Sequence, residues 1–247
     1  MTALAFASNL AAAQTNVVPD NTEFAALKAL YDSLAGSGWT IKTNWPTPGN
    51  WPASATSAQF GTWYGVTVVN GDITQLNLPS NHLTGKTPQA IGNLAKLTKI
   101  YFYNNAINGS LPSTLNQLTN LTYLDYGINP ITGTLPNLAA LTNLVTLSLR
   151  SDGSLSSAPI PSWICTMTNL VTLDLNNAKR NGAIPAQIGN LVNLVTLDLG
   201  GNALTGPLPS SIGNLVNLVT LHIGGSPLGG ALPSEIVPGK QLSPFKP

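Results

Sequence analysis

The sequence predicts an α/β solenoid, a fold in which short structural units stack along one axis. Two sets of residues recur along the 247-residue chain with a shared period of about 24 residues, and they stay in phase. The first set consists of pairs of apolar residues, namely Leu76/Leu78, Ile100/Phe102, Leu124/Tyr126, Leu147/Leu149, Leu173/Leu175, Leu197/Leu199 and Leu221/Ile223. The second set consists of prolines, namely Pro88, Pro112, Pro136, Pro161, Pro185, Pro209 and Pro233. These sets predict seven repeats, each of which buries its apolar face against its neighbours.

The segment before the repeats predicts a helical cap. Asp20 and Glu23 have the spacing of a capping box, and apolar residues follow on one helical face until Gly36. These apolar residues are Phe24, Leu27, Leu30, Tyr31 and Leu34. Four tryptophans, Trp39, Trp45, Trp51 and Trp63, also precede the repeats. Because the end of a solenoid core must be covered, we interpret them as core of the cap in preference to a carbohydrate-stacking site.

Each repeat begins with a predicted strand and continues into a turn. The alternation in Leu-x-Leu places the apolar side chains inward and the intervening side chains outward. An asparagine follows the strand at positions 81, 105, 129 and 202, and we expect its amide to bond the backbone of the neighbouring coil. Three repeats carry Asp152, Ala178 or Ser226 at this position instead.

The unit at 194–217, LVTLDLGGNALTGPLPSSIGNLVN, resembles a leucine-rich repeat of the plant-specific-like subclass with a Gly-x-Ile-Pro segment. That subclass occurs in plant receptor-kinase ectodomains, polygalacturonase-inhibiting proteins, and bacterial and protist surface proteins. The resemblance implies a right-handed superhelix with a concave parallel β-sheet and short extra strands near the Gly-x-x-Pro segment. The stretch Trp63-Tyr64-Gly65-Val66 resembles the plant cap, but Gly61 and Val68 stand where the plant cap carries a cysteine pair. This departure favours a bacterial or protist relative.

Four regions are expected along the chain. They are an apolar leader (1–19), the N-terminal cap (20–70), seven repeats (71–233) and a C-terminal tail (234–247). The leader is interpreted as a signal-peptide remnant, a cloning remnant, or an apolar segment that packs on the cap or on a neighbouring subunit. The tail either folds back over the last repeat or continues into a longer protein. A signal-like leader and the resemblance predict a secreted or cell-surface protein.

Composition excludes several classes of function. Charged residues make up 8% of the chain, with ten Lys and Arg against nine Asp and Glu. No basic field is therefore available to attract nucleic acid or an anionic membrane. The histidines, His82 and His222, lie in different repeats, and no metal-ligand spacing or phosphate-binding glycine loop occurs. We therefore expect a non-enzymatic protein without a cofactor, a metal ion or a membrane span.

The outward side chains of the concave strands form the candidate site for a protein or polysaccharide partner. Tyr101, Tyr103 and Tyr123 are predicted to cluster next to Asp125 and Arg150. Tyrosine and arginine are enriched at binding hot spots, although tyrosine is also common on exposed strands.

Acidic residues mark the later strands of the same face. Asp174 and Asp198 occupy matching positions on adjacent strands, and the predicted partner-binding set there also includes Asn176 and His222. Like charges at such positions repel unless a donor or a cation lies between them. A solvated acidic stripe is preferred here to a weak calcium site.

Two other functions remain open at this stage. A threonine column at Thr172, Thr196 and Thr220 suggests ice binding, although Lys99 and Tyr123 interrupt it. A self-assembling structural, surface-layer or filament subunit would associate through the leader or the C-terminal end. Between Leu147 and Pro161 the spacing is two residues longer than in other repeats, which predicts a bulge that shapes a binding edge or a tolerated loop insertion.

Overall fold

A computed structural model describes residues 21–53, 55–151, 154–231, 233–234 and 241–242, with backbone alone for residues 21, 57, 241 and 242. The predicted leader, Asp20, Asp152 and most of the tail lie outside the described residues. Two α-helices are α1 (Asn21–Ser33) and α2 (Ser57–Phe60). Short 3-10 helices span Gly36–Gly38, Gln89–Asn93, Ser113–Gln117, Ser162–Thr166, Ala186–Asn190 and Ser210–Asn214.

Strands alternate with these short helices along the described part of the chain. In chain order they are β1 (Val66–Val69), β2 (Asp72–Asn77), β3 (Thr84–Gly85), β4 (Lys99–Tyr101), β5 (Ala106–Ile107), β6 (Tyr123–Asp125), β7 (Thr146–Ser148), β8 (Ala158–Pro159), β9 (Thr172–Asp174), β10 (Arg180–Gly182), β11 (Thr196–Asp198), β12 (Ala203–Leu204), β13 (Gly206–Pro207), β14 (Thr220–His222), β15 (Leu228–Gly229) and β16 (Gln241–Leu242).

The main sheet follows the order β1-β2-β4-β6-β7-β9-β11-β14-β16. Its pairing is parallel except between β1 and β2, which form an antiparallel hairpin. The predicted repeat register is present, because the first apolar residue of each repeat pairs with its equivalent in the next. These residues are Leu76, Ile100, Leu124, Leu147, Leu173, Leu197 and Leu221. The predicted solenoid with its concave parallel sheet is confirmed.

Two features outside the seven predicted strands relate to expectations from the sequence, namely a tail that folds back over the last repeat and short extra strands near the Gly-x-x-Pro segments. The backbone of β16, from the predicted tail, pairs in parallel with Thr220 and Leu221. On the far side of the turns, short parallel strands pair as β3-β5, β12-β10-β8 and β13-β15, beside the Gly-x-x-Pro segments. The tail therefore contributes one strand, and several turns are joined to a neighbouring turn by short parallel ladders, while Gly109 and Ile131 form an isolated bridge.

Asn105, Asn129 and Asn202 bond the backbone of neighbouring coils as predicted, whereas Asn81 bonds the amide and the carbonyl of Ile41 in the cap. The side chain of Asn129 accepts a hydrogen bond from the Ile107 amide at 3.0 Å and donates to the carbonyls of Phe102 and Tyr126 at 2.9 and 3.0 Å. Asn105 and Asn202 make equivalent sets of bonds. These amides satisfy backbone groups that would otherwise be buried without a partner.

The cap covers the first repeat with a helix and a cluster of aromatic rings. In α1 the buried face includes Leu27 and Leu30, as the periodicity predicts. Trp39, Trp45 and Trp63 are buried, and Trp45 lies 4.9 Å from Trp63 between ring centroids. The core interpretation of these three tryptophans is therefore confirmed.

Glu23 makes a contact that the capping-box spacing does not suggest, whereas the capping box itself involves Asp20, outside the described residues. Its carboxylate is buried and accepts a hydrogen bond from the Ile73 amide, at 3.3 and 3.4 Å from its two oxygens. Ile73 belongs to β2, so Glu23 fastens the cap helix to the first strands of the main sheet. A local motif could not reveal this partner, which lies fifty residues away in sequence.

Arg180 occupies a position that Leu83 and Leu204 fill in other repeats, and it is fully buried. Its Nε donates to the Ala178 carbonyl and its Nη2 to the Ser156 carbonyl, both at 2.7 Å. Burial lowers the pKa of its guanidinium below the ordinary value. Because Ser156 belongs to the segment with the two-residue insertion, Arg180 holds that segment against the following coil.

Candidate functional site

The main sheet arranges the outward side chains in two rows that cross the strands. Adjacent strands lie about 4.8 Å apart, so each row presents one side chain at that interval. The first row runs Lys99, Tyr123, Thr146, Thr172, Thr196, Thr220. The second row runs Tyr101, Asp125, Ser148, Asp174, Asp198, His222.

Three tyrosines and a lysine form a compact group at the N-terminal side of this face, which we name the tyrosine cluster (Lys99, Tyr101, Tyr103, Tyr123). The ring of Tyr101 lies 5.7 Å from Tyr123 in an edge-on arrangement and 6.2 Å from Tyr103 in a stacked one. The Lys99 ammonium lies over both Tyr101 and Tyr123, at 5.1 and 5.0 Å from the ring centroids. Such cation–π contacts hold the rings in place while leaving them partly exposed.

Asp125 lies beneath the tyrosine cluster and is only 7% exposed. Its Oδ1 accepts a hydrogen bond from the Gly127 amide at 2.7 Å, and the Tyr123 hydroxyl lies 3.4 Å from Oδ2. Burial raises the pKa of Asp125, although these bonds, Ser148 and Lys99 oppose the rise. Burial and the nearby carboxylate also raise the pKa of Tyr123, to about 12.

Gly127 is buried and closely packed beside Asp125. A Cβ at this position would lie 3.0 Å from Asp125 Oδ1, and 3.2 Å from both Ser148 Oγ and Tyr103 Cδ2. A larger residue would therefore push against the buried carboxylate and the neighbouring tyrosine.

Asp174 and Asp198, which we name the aspartate pair, lie opposite each other on β9 and β11. The Asn176 amide donates to Asp198 Oδ1 at 3.1 Å, and His222 Nδ1 lies 3.1 Å from Asp198 Oδ2. Burial is the main cause that raises the pKa of Asp174; Asp198 adds to the rise and Arg150 opposes it. Donors from the chain itself therefore contact Asp198 and reduce the repulsion that the sequence pattern implies.

All nine residues predicted for partner binding thus lie along one face, in two groups. Arg150 follows β7, is exposed, and exerts its charge on Asp174. Lys99 is the cation that contacts the tyrosines, and it was not among the predicted residues. The sequence signal that could have identified Lys99 was its predicted outward position on β4, the first strand of the tyrosine cluster.

The described residues contain no cluster of potential metal ligands, and the thiol of Cys165 is buried. No three His, Cys, Asp or Glu side chains there are placed to hold a metal ion. Burial raises the pKa of the Cys165 thiol to about 11, which disfavours a reactive thiolate. Among the described residues, no helix is long and apolar enough to cross a bilayer.

Comparisons with known proteins show that the chain is similar to proteins with leucine-rich repeats. A family model described as Leucine Rich Repeat matches residues 72–94 and 193–215. No curated protein matches the sequence significantly. A crystal structure of a plant ice-binding protein is 23% identical, with a TM-score of 0.71, and the match covers 86% of this chain and 73% of that one.

Two plant receptors are also similar. A plant peptide hormone receptor, RGFR1 in complex with RGF2, is 28% identical with a TM-score of 0.61 over 66% of this chain. The leucine-rich-repeat ectodomain of GASSHO1/SCHENGEN3 from Arabidopsis thaliana, in complex with CASPARIAN STRIP INTEGRITY FACTOR 2, is 26% identical with a TM-score of 0.57 over 87% of this chain. The chain spans only 26% and 31% of those two receptor chains. The chain therefore has the leucine-rich-repeat fold, with a fraction of the repeats of those receptors.

Proposed function

We propose that this chain is a non-enzymatic leucine-rich-repeat recognition protein that binds an extended polypeptide segment across its concave face. The tyrosine cluster is the observation that carries this proposal. Similarity to two receptors described with a peptide hormone and with an integrity factor supports it, since both are more than 25% identical to this chain. We prefer a polypeptide to a polysaccharide as the ligand of this face, because the concave face carries specific charged side chains of both signs.

The tyrosine cluster provides the anchor for such a ligand. Tyrosine rings contribute large contact areas at low cost in conformational entropy, and their hydroxyls add hydrogen bonds. The contacts of Lys99 with two rings hold the cluster in one arrangement before a ligand binds. A preorganised surface loses less entropy on binding, which favours affinity.

The charges along the face define the ligand further. Lys99 lies at the tyrosine cluster, whereas Asp174 and Asp198 lie three and four strands further along the sheet. A ligand with an apolar or aromatic anchor at one end and a basic residue at the other would match both groups. Four strand spacings of about 4.8 Å correspond to about 19 Å, a span that an extended peptide of about six residues covers.

Location and subclass follow as part of the same proposal. We assign the chain to the secreted or cell-surface proteins, as the ectodomain description of the GASSHO1/SCHENGEN3 structure suggests. The short parallel strands beside the Gly-x-x-Pro segments support the Gly-x-Ile-Pro subclass. The division into cap, seven repeats and tail is retained as a proposal.

The test is selection of ligands from a random peptide display library on the purified chain, followed by calorimetry. Tyr101→Ala is expected to lower the affinity for the selected peptide by at least about tenfold, because hot-spot tyrosines commonly contribute more than ~1.4 kcal/mol to binding. Thr205→Ala, an exposed substitution away from the concave sheet, is the control and should leave the affinity unchanged. Equal affinity for both variants and the wild type would remove the tyrosine cluster from the site.

Ice binding is a second candidate, favoured by one observation. Thr146, Thr172, Thr196 and Thr220 pair directly across four adjacent strands, which gives a regular row of hydroxyl and methyl groups. Thermal hysteresis of the purified chain tests this candidate, and its absence at high concentration would eliminate it.

Self-association through the leader or the tail stays a prediction, to be tested by light scattering.

A further inference from the structure

A second depression lies beside the concave face, where the strands begin. We name it the flank groove, and the residues that define it are Asn70, Thr98, Asn120, Thr122, Asn143 and Val145. Its volume is about 600 Å³. The residues that line it come from five successive coils, so that it runs across the starts of the strands for about 19 Å at ~4.8 Å per strand.

The polar side chains of the flank groove donate hydrogen bonds to the chain itself. Asn120 Nδ2 donates to the Ala95 carbonyl and Asn143 Nδ2 to the Thr119 carbonyl, both at 2.9 Å. The Thr122 hydroxyl donates to the Thr98 carbonyl at 3.0 Å. Within the described ranges, no donor from the protein bonds the Oδ1 atoms of these asparagines. One N–H of each amide and its Oδ1 stay available, so the groove presents a line of hydrogen-bond donors and acceptors to any ligand.

Apolar groups alternate with these donors and acceptors. The Val145 side chain is 39% exposed in the groove, and Thr122 adds a methyl group on the adjacent strand. Charge is confined to one end, where Asp72 and Lys96 belong to the first two coils. The central part is uncharged, so it offers nothing specific to a basic or an acidic ligand.

The matching ligand is elongated, uncharged and rich in hydrogen-bond donors and acceptors, and it carries apolar patches at a regular interval. An extended polysaccharide has these properties, since its hydroxyls donate and accept and its C–H faces pack against methyl groups. Its sugar residues follow each other at roughly the ~4.8 Å spacing of the strands. We infer that the flank groove binds a neutral, extended polysaccharide, with about one sugar residue per strand. This site is separate from the concave face and does not depend on the peptide-binding proposal.

The test uses the full chain and defined hexasaccharides. Calorimetry with cellohexaose, mannohexaose and xylohexaose is expected to show binding of at least one, with Kd below about 1 mM. Val145→Lys places a long charged side chain in the groove without removing a side-chain hydrogen bond, and it should weaken that binding by at least about tenfold. Maltohexaose, whose chain is helical instead of extended, should bind more weakly than the best of the three.

Val219→Lys is the matched control. Val219 holds the equivalent position three strands further along, is 54% exposed, and does not line the groove. This variant should bind the hexasaccharide as the wild type does, and Tyr101→Ala should do so as well. The inference is wrong if none of the three hexasaccharides binds, or if both lysine variants lose affinity equally. It is also wrong if Tyr101→Ala abolishes sugar binding, or if the groove variant blocks a selected peptide and no sugar binds.

Discussion

The two halves of the concave face, the tyrosine cluster and the aspartate pair, share one backbone register and differ in the surroundings of their carboxylates. At the tyrosine cluster, Asp125 is buried beneath the rings and accepts a hydrogen bond from the Gly127 amide. At the aspartate pair, Asp198 is less buried and meets an asparagine amide and a histidine ring. The first half offers apolar contact area, whereas the second offers exchangeable polar contacts. We expect affinity to depend mainly on the first half and selectivity on the second.

The cores behind the two halves also differ, one being aromatic and the other containing a buried charged residue. Behind the tyrosine cluster, Tyr126 packs edge-on against Phe102 with centroids 5.3 Å apart. Behind the aspartate pair, the coil that follows β9 contains the buried Arg180. One half therefore rests on aromatic packing and the other on hydrogen bonds from a buried cation to carbonyl oxygens.

Arg180→Ala tests the second core and should have the largest effect on stability. It leaves a cavity and removes the donors of the Ala178 and Ser156 carbonyls, and each of these changes is destabilising. We expect a loss of about 3 kcal/mol in the free energy of unfolding, measured by chemical denaturation. Arg150→Ala, at an exposed arginine, should change it by less than about 0.5 kcal/mol. Similar values for the two variants would show that Arg180 does not support the core.

Tyr123→Thr replaces the first-row tyrosine of the tyrosine cluster with threonine. Threonine is the residue that occupies the first row in the second half of the concave face. Loss of the ring removes its contacts with Tyr101 and Lys99, so the affinity for a selected peptide should fall by about 2 kcal/mol. Thr196→Ala, in the same row of the other half, should cost less than about 0.5 kcal/mol in binding. If calorimetry gives the larger loss for Thr196→Ala, the two halves have the opposite roles to those proposed.

Asp125→Asn should raise stability at neutral pH. The folded protein raises the pKa of Asp125 mainly through burial, so the ionised carboxylate opposes folding. Stability therefore falls as pH rises from the unfolded pKa of about 4 through the raised folded pKa, and the variant escapes this loss. We expect a higher Tm than wild type at pH 7, with the difference vanishing below about pH 4.

Asp32→Asn is the control for that comparison. Asp32 is exposed and pairs with Lys28 on the cap helix, an interaction of little worth to stability. Its Tm should match the wild type at both pH values. A lower Tm for Asp125→Asn at pH 7 would mean that the charged form is required for the fold.

His222→Gln addresses the aspartate pair and should have the smallest effect. The pair between His222 and Asp198 is partly exposed, with side chains 38% and 20% accessible, so it contributes less than about 1 kcal/mol. Peptide selectivity is the more sensitive measurement, because the variant exposes one Asp198 oxygen to the ligand. An unchanged preference for basic residues across a selected peptide panel would exclude the aspartate pair from ligand discrimination.

The repeats could be predicted well because their determinants are local. The alternation of apolar residues predicted the strands. The asparagines that follow the strands predicted the bonds that Asn129 and Asn202 make. Arg180 was also within reach, since the repeat register puts it at the position of Leu83 and Leu204. It was missed because Lys179, Asn181 and Gly182 around it resemble an exposed turn.

By itself, the sequence determined the period, the inward and outward sides of the strands and the content of the concave rows, because each depends on spacing along a regular coil. Only the tertiary structure decided that Glu23 bonds the Ile73 amide, that Lys99 lies over two tyrosine rings and that the flank groove forms. These contacts join side chains from different coils. Their geometry depends on rotamers and on local burial, which a repeating pattern of residue types does not specify.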